Sequence, residues 1–159
     1  VPVVPDEPSI LVVCMGNICR SPLAEGILRR RASEAGIALR LDSAGTHAYH
    51  VGQPPDPRAR QVARERGTPI DDLRARQVAP DDVQRFDRLL VADRQNRDAL
   101  WQRFPEHAER IQLLLAFAGL GGESEVPDPY YGDYADFVRV FELLDRAAQG
   151  VLQKLQGGC

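Results

Sequence analysis

A chain of 159 residues is the size of one domain with a core of its own. Its content, 43% hydrophobic and 27% charged, is that of an ordinary soluble globular protein, and 20 basic against 23 acidic residues leave a net charge of −3, which argues against a nucleic-acid partner held by phosphate neutralisation. No apolar run approaches the roughly 18 residues of a membrane span and no charged-then-apolar leader is visible, so neither a span nor a signal peptide is expected.

The first element is the run Ser9-Ile10-Leu11-Val12-Val13-Cys14, which reads as a buried strand ending at a cysteine. A turn follows, and a helical pattern opens at Ser21-Pro22 and continues to about Ala35. Leu23, Ala24, Ile27, Leu28 and Ala35 share its apolar face, Arg29, Arg30 and Arg31 form a solvated face near its end, and Gly36 stops it. Within the turn Gly16 permits positive φ and Asn17 tolerates left-handed geometry and braces the loop, while Ser21 suits the helix cap and Pro22 its first position.

Ala38 to Asp42 alternates as a second strand, left by the loop Ser43-Ala44-Gly45-Thr46, and this strand-helix-strand order implies a right-handed parallel crossover. His47 to Pro57 is a Gly-, Pro- and aromatic-rich loop, and a helix from about Asp56 to Arg66 turns Ala59, Val62 and Ala63 inward before Gly67-Thr68-Pro69 ends it. Arg74 to Val78 is irregular or extended, and Pro80-Asp81-Asp82-Val83 reads as a short helical turn. Arg88 to Ala92 is the third strand, Arg94 to about Phe104 a helix, and Arg110 to Leu115 the fourth strand. Gly119 to Gly132 is a long loop of the functional kind. In the last helix, Tyr134 to Leu155, the residues Phe137, Val140, Phe141, Leu144, Ala148, Val151, Leu152 and Leu155 keep the 3.6-residue period, so the helix is expected to lie along the sheet. The whole is a single doubly wound α/β domain, 1–159, with a mainly parallel sheet flanked by helices on both faces and with 1–8 and 156–159 as flexible extensions. Ligands in such sheets bind beyond the carboxyl ends of the strands, where Cys14, the Ser43 loop, Asp93 and the Asp128 loop all fall.

The turn after Cys14 has the makings of an anion site. Successive backbone N–H groups form a nest, the helix adds its unpaired first-turn donors, and Arg20 offers a planar fork for two oxygens of a phosphate. A thiol in that setting is expected to lose its proton well below the usual value of about 8.5, and such a thiolate can attack phosphorus in line with a leaving group. Two other readings of the same residues stand beside this one. Cys14 can be a small core residue, and Cys14 and Cys19 with His47 and His50 can be read as a zinc site, although the two histidines stand closer together than zinc knuckles usually place them. Three cysteines, an odd number, make no disulfide framework and fit a reducing cytoplasm. Asp128, held by Pro129 in the long loop, can protonate a leaving group over the Cys14 turn, and equally Asp-Pro is a common turn. Ile18, Tyr49, Tyr130 and Tyr131 can line a slot for an aromatic ring.

Val13-Cys14-Met15-Gly16-Asn17-Ile18-Cys19-Arg20-Ser21-Pro22-Leu23-Ala24-Glu25 resembles the signature loop of the low-molecular-weight protein tyrosine phosphatases. The resemblance continues in Asp42-Ser43-Ala44-Gly45-Thr46, in His50-Val51-Gly52 with Asp56-Pro57-Arg58-Ala59, in Arg74-Ala75-Arg76-Gln77, in Phe86-Asp87 with Asp93, and in Asp128-Pro129-Tyr130-Tyr131-Gly132. It implies a four-stranded, flavodoxin-like sheet and hydrolysis of phosphotyrosine through a covalent phospho-cysteine, without metal or cofactor. It further implies Cys14 as nucleophile, Met15, Gly16, Asn17, Ile18, Cys19 and Arg20 around the phosphate, and Asp128 as general acid. Ile18, Tyr49, Tyr130 and Tyr131 would contact the substrate, Ser21, Asn17 and Ser43 would support the loop, Cys19 would be a redox partner of Cys14, and Asp93 would be structural. Expected partners are phosphotyrosine proteins and inhibitory oxyanions such as phosphate; a cytoplasmic monomer with no nucleic-acid or membrane partner is expected.

Two departures from the family pattern stand out: Leu73 occupies a usual histidine position, which puts the bracing of Asn17 in doubt, and Ala92 replaces a usual Met. Related functions are less well matched. Protein-arginine phosphatases carry Thr at the position of Ile18 and lack the paired tyrosines, an arsenate reductase would need cysteines in the second half where only Cys159 stands, and a silent phosphate-binding module would not need Cys14, Arg20 and Asp128 together.

Overall fold

Burial on both faces explains why Ser9–Cys14 is apolar without alternation. A computed structural model describes residues 7–121 and 124–157, and in it this segment, β1, is buried along its whole length. β1 lies between β2 (Arg40–Gly45) and β3 (Arg88–Val91), and β3 carries β4 (Ile111–Leu113), giving a four-stranded sheet in the order β2-β1-β3-β4. Every pairing is parallel, with Cys14 opposite Gly45 and Val13 opposite Val91.

Helices cover both faces: α1 (Arg20–Ala35), α2 (Pro57–Glu65), α3 (Asp82–Arg85), α4 (Arg94–Arg103), α5 (Leu114–Phe117) and α6 (Tyr134–Gly157). Ile10, Val12 and Leu90 point into a core shared with α1, α2, α5 and α6, whereas Leu11, Val13, Leu89 and Val91 point into a second core with Val83, Phe86 and Leu100. The alternation along β1 and β3 thus builds the doubly wound arrangement directly.

Several boundaries differ from the sequence reading, each for a physical reason. β2 continues through Ser43, Ala44 and Gly45, because pairing with Val12, Val13 and Cys14 satisfies the backbone there. The expected fourth strand stops at Leu113, and Leu114 and Leu115 belong to a single helical turn that buries them with Phe117; a short apolar run does not by itself distinguish the two states. Pro105–Arg110 is a 3₁₀ segment, so Arg110, expected to open the fourth strand, instead precedes it. In α1, Ala35 is exposed and Ala32 buried, while Arg30 and Arg31 are half-buried and reach Asp145 of α6 at 3.1 and 2.8 Å. These arginines therefore tie two helices together instead of lining a solvated face. α6 buries the residues its period marks out in the same core as Ile10, Val12 and Leu90 of the sheet, with α1, α2 and α5 packed beside it. Arg40 N–H donates to the Pro8 carbonyl at 2.9 Å, and α6 continues through Gln156 and Gly157. Positions 1–6 and 158–159 of the expected flexible extensions, Cys159 included, lie outside the described residues. No helix among the described residues is long and apolar enough to cross a membrane.

Candidate active site

The turn after β1 is shaped by its neighbours. The carbonyls of Cys14, Met15 and Ile18 accept hydrogen bonds from the N–H groups of Thr46, His47 and Asp56 at 2.9, 3.0 and 2.8 Å. Across a trans peptide the N–H points opposite to the C=O, so the amides of Met15, Gly16 and Cys19 are turned away from those neighbours and toward the cavity. That cavity, of about 150 Å³, is lined by Cys14, Met15, Gly16, Ile18, Cys19 and Arg20 below and by Tyr49, His50, Asp128, Tyr130 and Tyr131 around its mouth. Predicted nucleophile, acid and aromatic rim share one space.

The left-handed residue of the turn is Asn17, at φ 59°, and not Gly16, which has no positive φ. A Cβ on Gly16 would stand 2.9 Å from the edge of the His50 ring, a contact that a shift of that side chain can relieve. Gly45 is tighter still, because a Cβ on it would lie 2.7 Å from the Met15 carbonyl oxygen and 3.1 Å from that of His47. Gly45→Ala is expected to displace the turn, lowering stability by about 1–3 kcal/mol and activity with it. Urea denaturation checks this, and an unchanged midpoint would count against it.

Ser21 does not cap α1. The cap is Cys19, which makes no side-chain cap bond, and Ser21 lies inside the first turn with its Oγ 3.1 Å from Cys14 Sγ. Asn17 Nδ2 donates to Ser21 Oγ at 2.8 Å and to Ser43 Oγ at 3.0 Å, and Ser43 Oγ donates to the buried Glu25 carboxylate at 2.6 Å. Since Ser21 Oγ already accepts from Asn17, its own proton is free to face the sulfur. Burial pushes the Glu25 carboxyl above its ordinary value, opposed by the Ser43 hydroxyl and Arg29. Asn17 Oδ1 accepts from Arg76 N at 3.0 Å. The bracing of Asn17 thus does not need the missing histidine, and Leu73 packs against the core. Arg76 in turn bridges Asp42 of β2 and Asp82 of α3.

Arg20 is only 3% exposed and is aimed from two sides: Nη1 meets Asp93 Oδ2 at 2.8 Å and the Val126 carbonyl at 2.9 Å. Burial works against its charge, but Cys14, Asp93 and Asp128 outweigh it and keep the guanidinium protonated. Asp93 also caps α4 through Asn96 N, so its structural role extends to holding the arginine. Asp128 has a side chain 42% exposed and places Oδ2 3.7 Å from Arg20 Nη2, while Oδ1 accepts from Tyr130 N at 3.1 Å. It therefore stands over the site with solvent access, as a group that exchanges protons must.

At the rim, Tyr130 meets Tyr131 edge-on at 4.9 Å, and Tyr49 stacks on His47 at 5.0 Å. Tyr131, 94% exposed, and Tyr49, 69% exposed, are open to a large substrate. Cys14 is 3% exposed at the cavity floor, and Cys19, also buried, lines the same cavity. Burial, aided by Asp56, Cys14 and Asp128, pushes the Cys19 thiol far up, so it is no rival nucleophile. No group of three His, Cys, Asp or Glu side chains placed to hold a metal ion occurs among the described residues.

Sequence reasoning missed Glu25, His50, Asp56, Arg58 and Arg76 as parts of the site. Asp56-Pro57 carried a legible helix-cap signal, and Asp56 does cap α2 through Arg58 N at 2.8 Å. Burial pushes its carboxyl up, but the Arg58 guanidinium and N–H pull harder and leave it below the usual carboxylate range.

Comparison with known proteins agrees with this geometry. The family model for low molecular weight phosphotyrosine protein phosphatase matches residues 9–158. The low molecular weight protein-tyrosine phosphatase A of Mycobacterium tuberculosis is 39% identical over 92% of this chain and 90% of its own, and the human low molecular weight phosphotyrosine protein phosphatase is 34% identical over 92% and 94%. Among solved structures, a protein tyrosine phosphatase from Entamoeba histolytica with Hepes in its active site superposes with a TM-score of 0.89 at 36% identity, covering 96% of this chain and 99% of that one. Vibrio vulnificus Wzb in complex with benzylphosphonate gives 0.83 at 31% identity, covering 92% and 98%. With its signature turn, sheet order and nearly full-length match all in agreement, the chain belongs to the low molecular weight phosphotyrosine protein phosphatase family.

Proposed function

We propose that this protein hydrolyses phosphotyrosine in proteins, and small aryl phosphates, in two steps. Cys14 Sγ attacks phosphorus while the tyrosyl oxygen departs and takes a proton from Asp128; water then attacks the phospho-cysteine, gives its proton back to Asp128, and releases inorganic phosphate and the sulfur. Arg20 and the turn amides hold the equatorial oxygens, and the Ser21 hydroxyl stabilises the sulfur as it leaves. The observation that carries this reading is the single cavity in which Cys14, Arg20 and Asp128 face each other beneath a rim of tyrosines. The rim also supplies selectivity: the tyrosines and Ile18 suit an aromatic ring, and the shorter arm of phosphoserine leaves its phosphorus above the sulfur. That a relative binds benzylphosphonate, a ring carrying a tetrahedral phosphonate, supports an aryl phosphate as the fit.

The deciding experiment is a panel of phosphotyrosine, phosphoserine and phosphoarginine peptides assayed with chelator present. Turnover of phosphotyrosine alone is expected, with competitive inhibition by inorganic phosphate; preference for phosphoarginine would overturn the assignment.

Cys19 supports a protective role that also fits a reducing, cytoplasmic setting. Peroxide converts Cys14 to a sulfenic acid, and condensation with the Cys19 thiol expels water and forms a disulfide that an added thiol reduces. Activity lost to peroxide is expected to return with dithiothreitol in the parent protein but not in Cys19→Ser; equal recovery in both would remove the role.

A further inference from the structure

We infer that Arg58 is a positioning residue for the general acid: fixed by Asp56, its guanidinium holds the backbone after Asp128 and so sets where that carboxyl stands over Cys14. The inference rests on the two-step reading above. Arg58 Nε and Nη2 face the Asp56 carboxylate at 3.0 Å each, Nη1 donates to the Gly132 carbonyl at 2.9 Å, and Nη2 donates also to the Tyr130 carbonyl at 2.9 Å. The planar group lies 4.4 Å above the Phe137 ring, which fixes its plane. Only a fork of rigidly placed donors serves a carboxylate and two carbonyls at once; a lysine ammonium does not.

The other end of the arrangement is the nucleophile's own turn. Asp56 N–H donates to the Ile18 carbonyl at 2.8 Å, so a continuous line runs from the phosphate turn through Asp56 and Arg58 to the loop that carries the acid. Asp128 sits between two tied points. Before it, Val126 is held by Ala92 on its N–H, at 2.8 Å, and by Arg20 on its carbonyl, at 2.9 Å; after it, Tyr130 and Gly132 are held by Arg58. Because Asp128 Oδ1 accepts from Tyr130 N, turning the Tyr130 peptides loose would release the carboxyl itself.

The test is the leaving-group dependence of kcat/KM, measured with phenyl phosphate and with a dinitrophenyl phosphate whose phenolate needs no proton. Arg58→Met is expected to lower kcat/KM about tenfold or more on phenyl phosphate and far less on the dinitrophenyl ester, with inhibition by inorganic phosphate retained. The double variant with Asp128→Asn is expected to be no slower than Asp128→Asn alone, since both remove the same proton transfer. Arg58→Lys, which keeps the charge and the fold but loses the fork, is expected to show the same pattern at smaller size. Equal slowing of both esters, additivity with Asp128→Asn, or loss of phosphate inhibition in folded Arg58→Lys would each overturn the inference. Failure of Asp128→Asn itself to discriminate between the esters would instead overturn the two-step reading.

Discussion

Cys14→Ser is expected to lose turnover by about four orders of magnitude or more while still binding inorganic phosphate or vanadate. The two consequences separate because they use different atoms. Bond making needs a sulfur anion at the cavity floor, and a serine hydroxyl at that position has no base beside it: its neighbour is the Ser21 hydroxyl at 3.1 Å from the sulfur, itself oriented by Asn17. Oxyanion binding needs the turn amides and Arg20, whose position is set by Asp93 and the Val126 carbonyl and does not depend on the sulfur. Steady-state assay with calorimetric titration of phosphate checks both halves. Substantial activity in Cys14→Ser would remove the covalent route; loss of phosphate binding would instead mean that the sulfur shapes the turn.

Asp128→Asn is expected to lower kcat/KM by about 10²–10⁴ for phenolates that need a proton and much less for activated ones. It should also lower kcat even for activated esters, because all substrates pass through one phospho-cysteine whose hydrolysis loses its base. The geometry favours this pairing of effects: the carboxyl reaches into the cavity yet keeps solvent contact, and the asparagine amide can still accept from Tyr130 N. The variant should therefore keep its loop and lose only its proton transfer. A uniform loss of kcat/KM across leaving groups would point to displaced structure instead.

How much of this was legible before the coordinates differs by element. β1 and α6 were readable because burial imposes a strong pattern on long segments, and Asn17 because few residues other than glycine accept a left-handed backbone. The Leu114–Leu115 turn was not, since an apolar pair following a strand satisfies either conformation until its neighbours are known. In the site, the residues that touch the cavity, His50 apart, announced themselves by chemistry and by the family pattern. The residues behind them did not: Glu25 looks like any surface glutamate of a helix until Ser43 is brought to it from 18 positions away, and Arg58 looks like one of many solvated arginines until the loop around Gly132 arrives from 74 positions away. Sequence separation hides partners that only the crossovers of the sheet assemble. Of the two roles open to Ser21, contact with Cys14 Sγ is the one the structure shows; the capping signal of a serine before a proline is not used, because its hydroxyl is engaged at the sulfur.

The nucleophile hangs from β1, an interior strand with neighbours on both sides, whereas Tyr49, His50, Tyr130 and Tyr131 hang from connecting loops. The sulfur and Arg20 are thereby housed apart from most of the recognition surface, while Asp128 travels with Tyr130 and Tyr131 on one loop. Mutational drift at Tyr49 and His50 can exchange one clientele of phosphoproteins for another without loosening the floor, whereas drift around Tyr130 moves recognition and the carboxyl together.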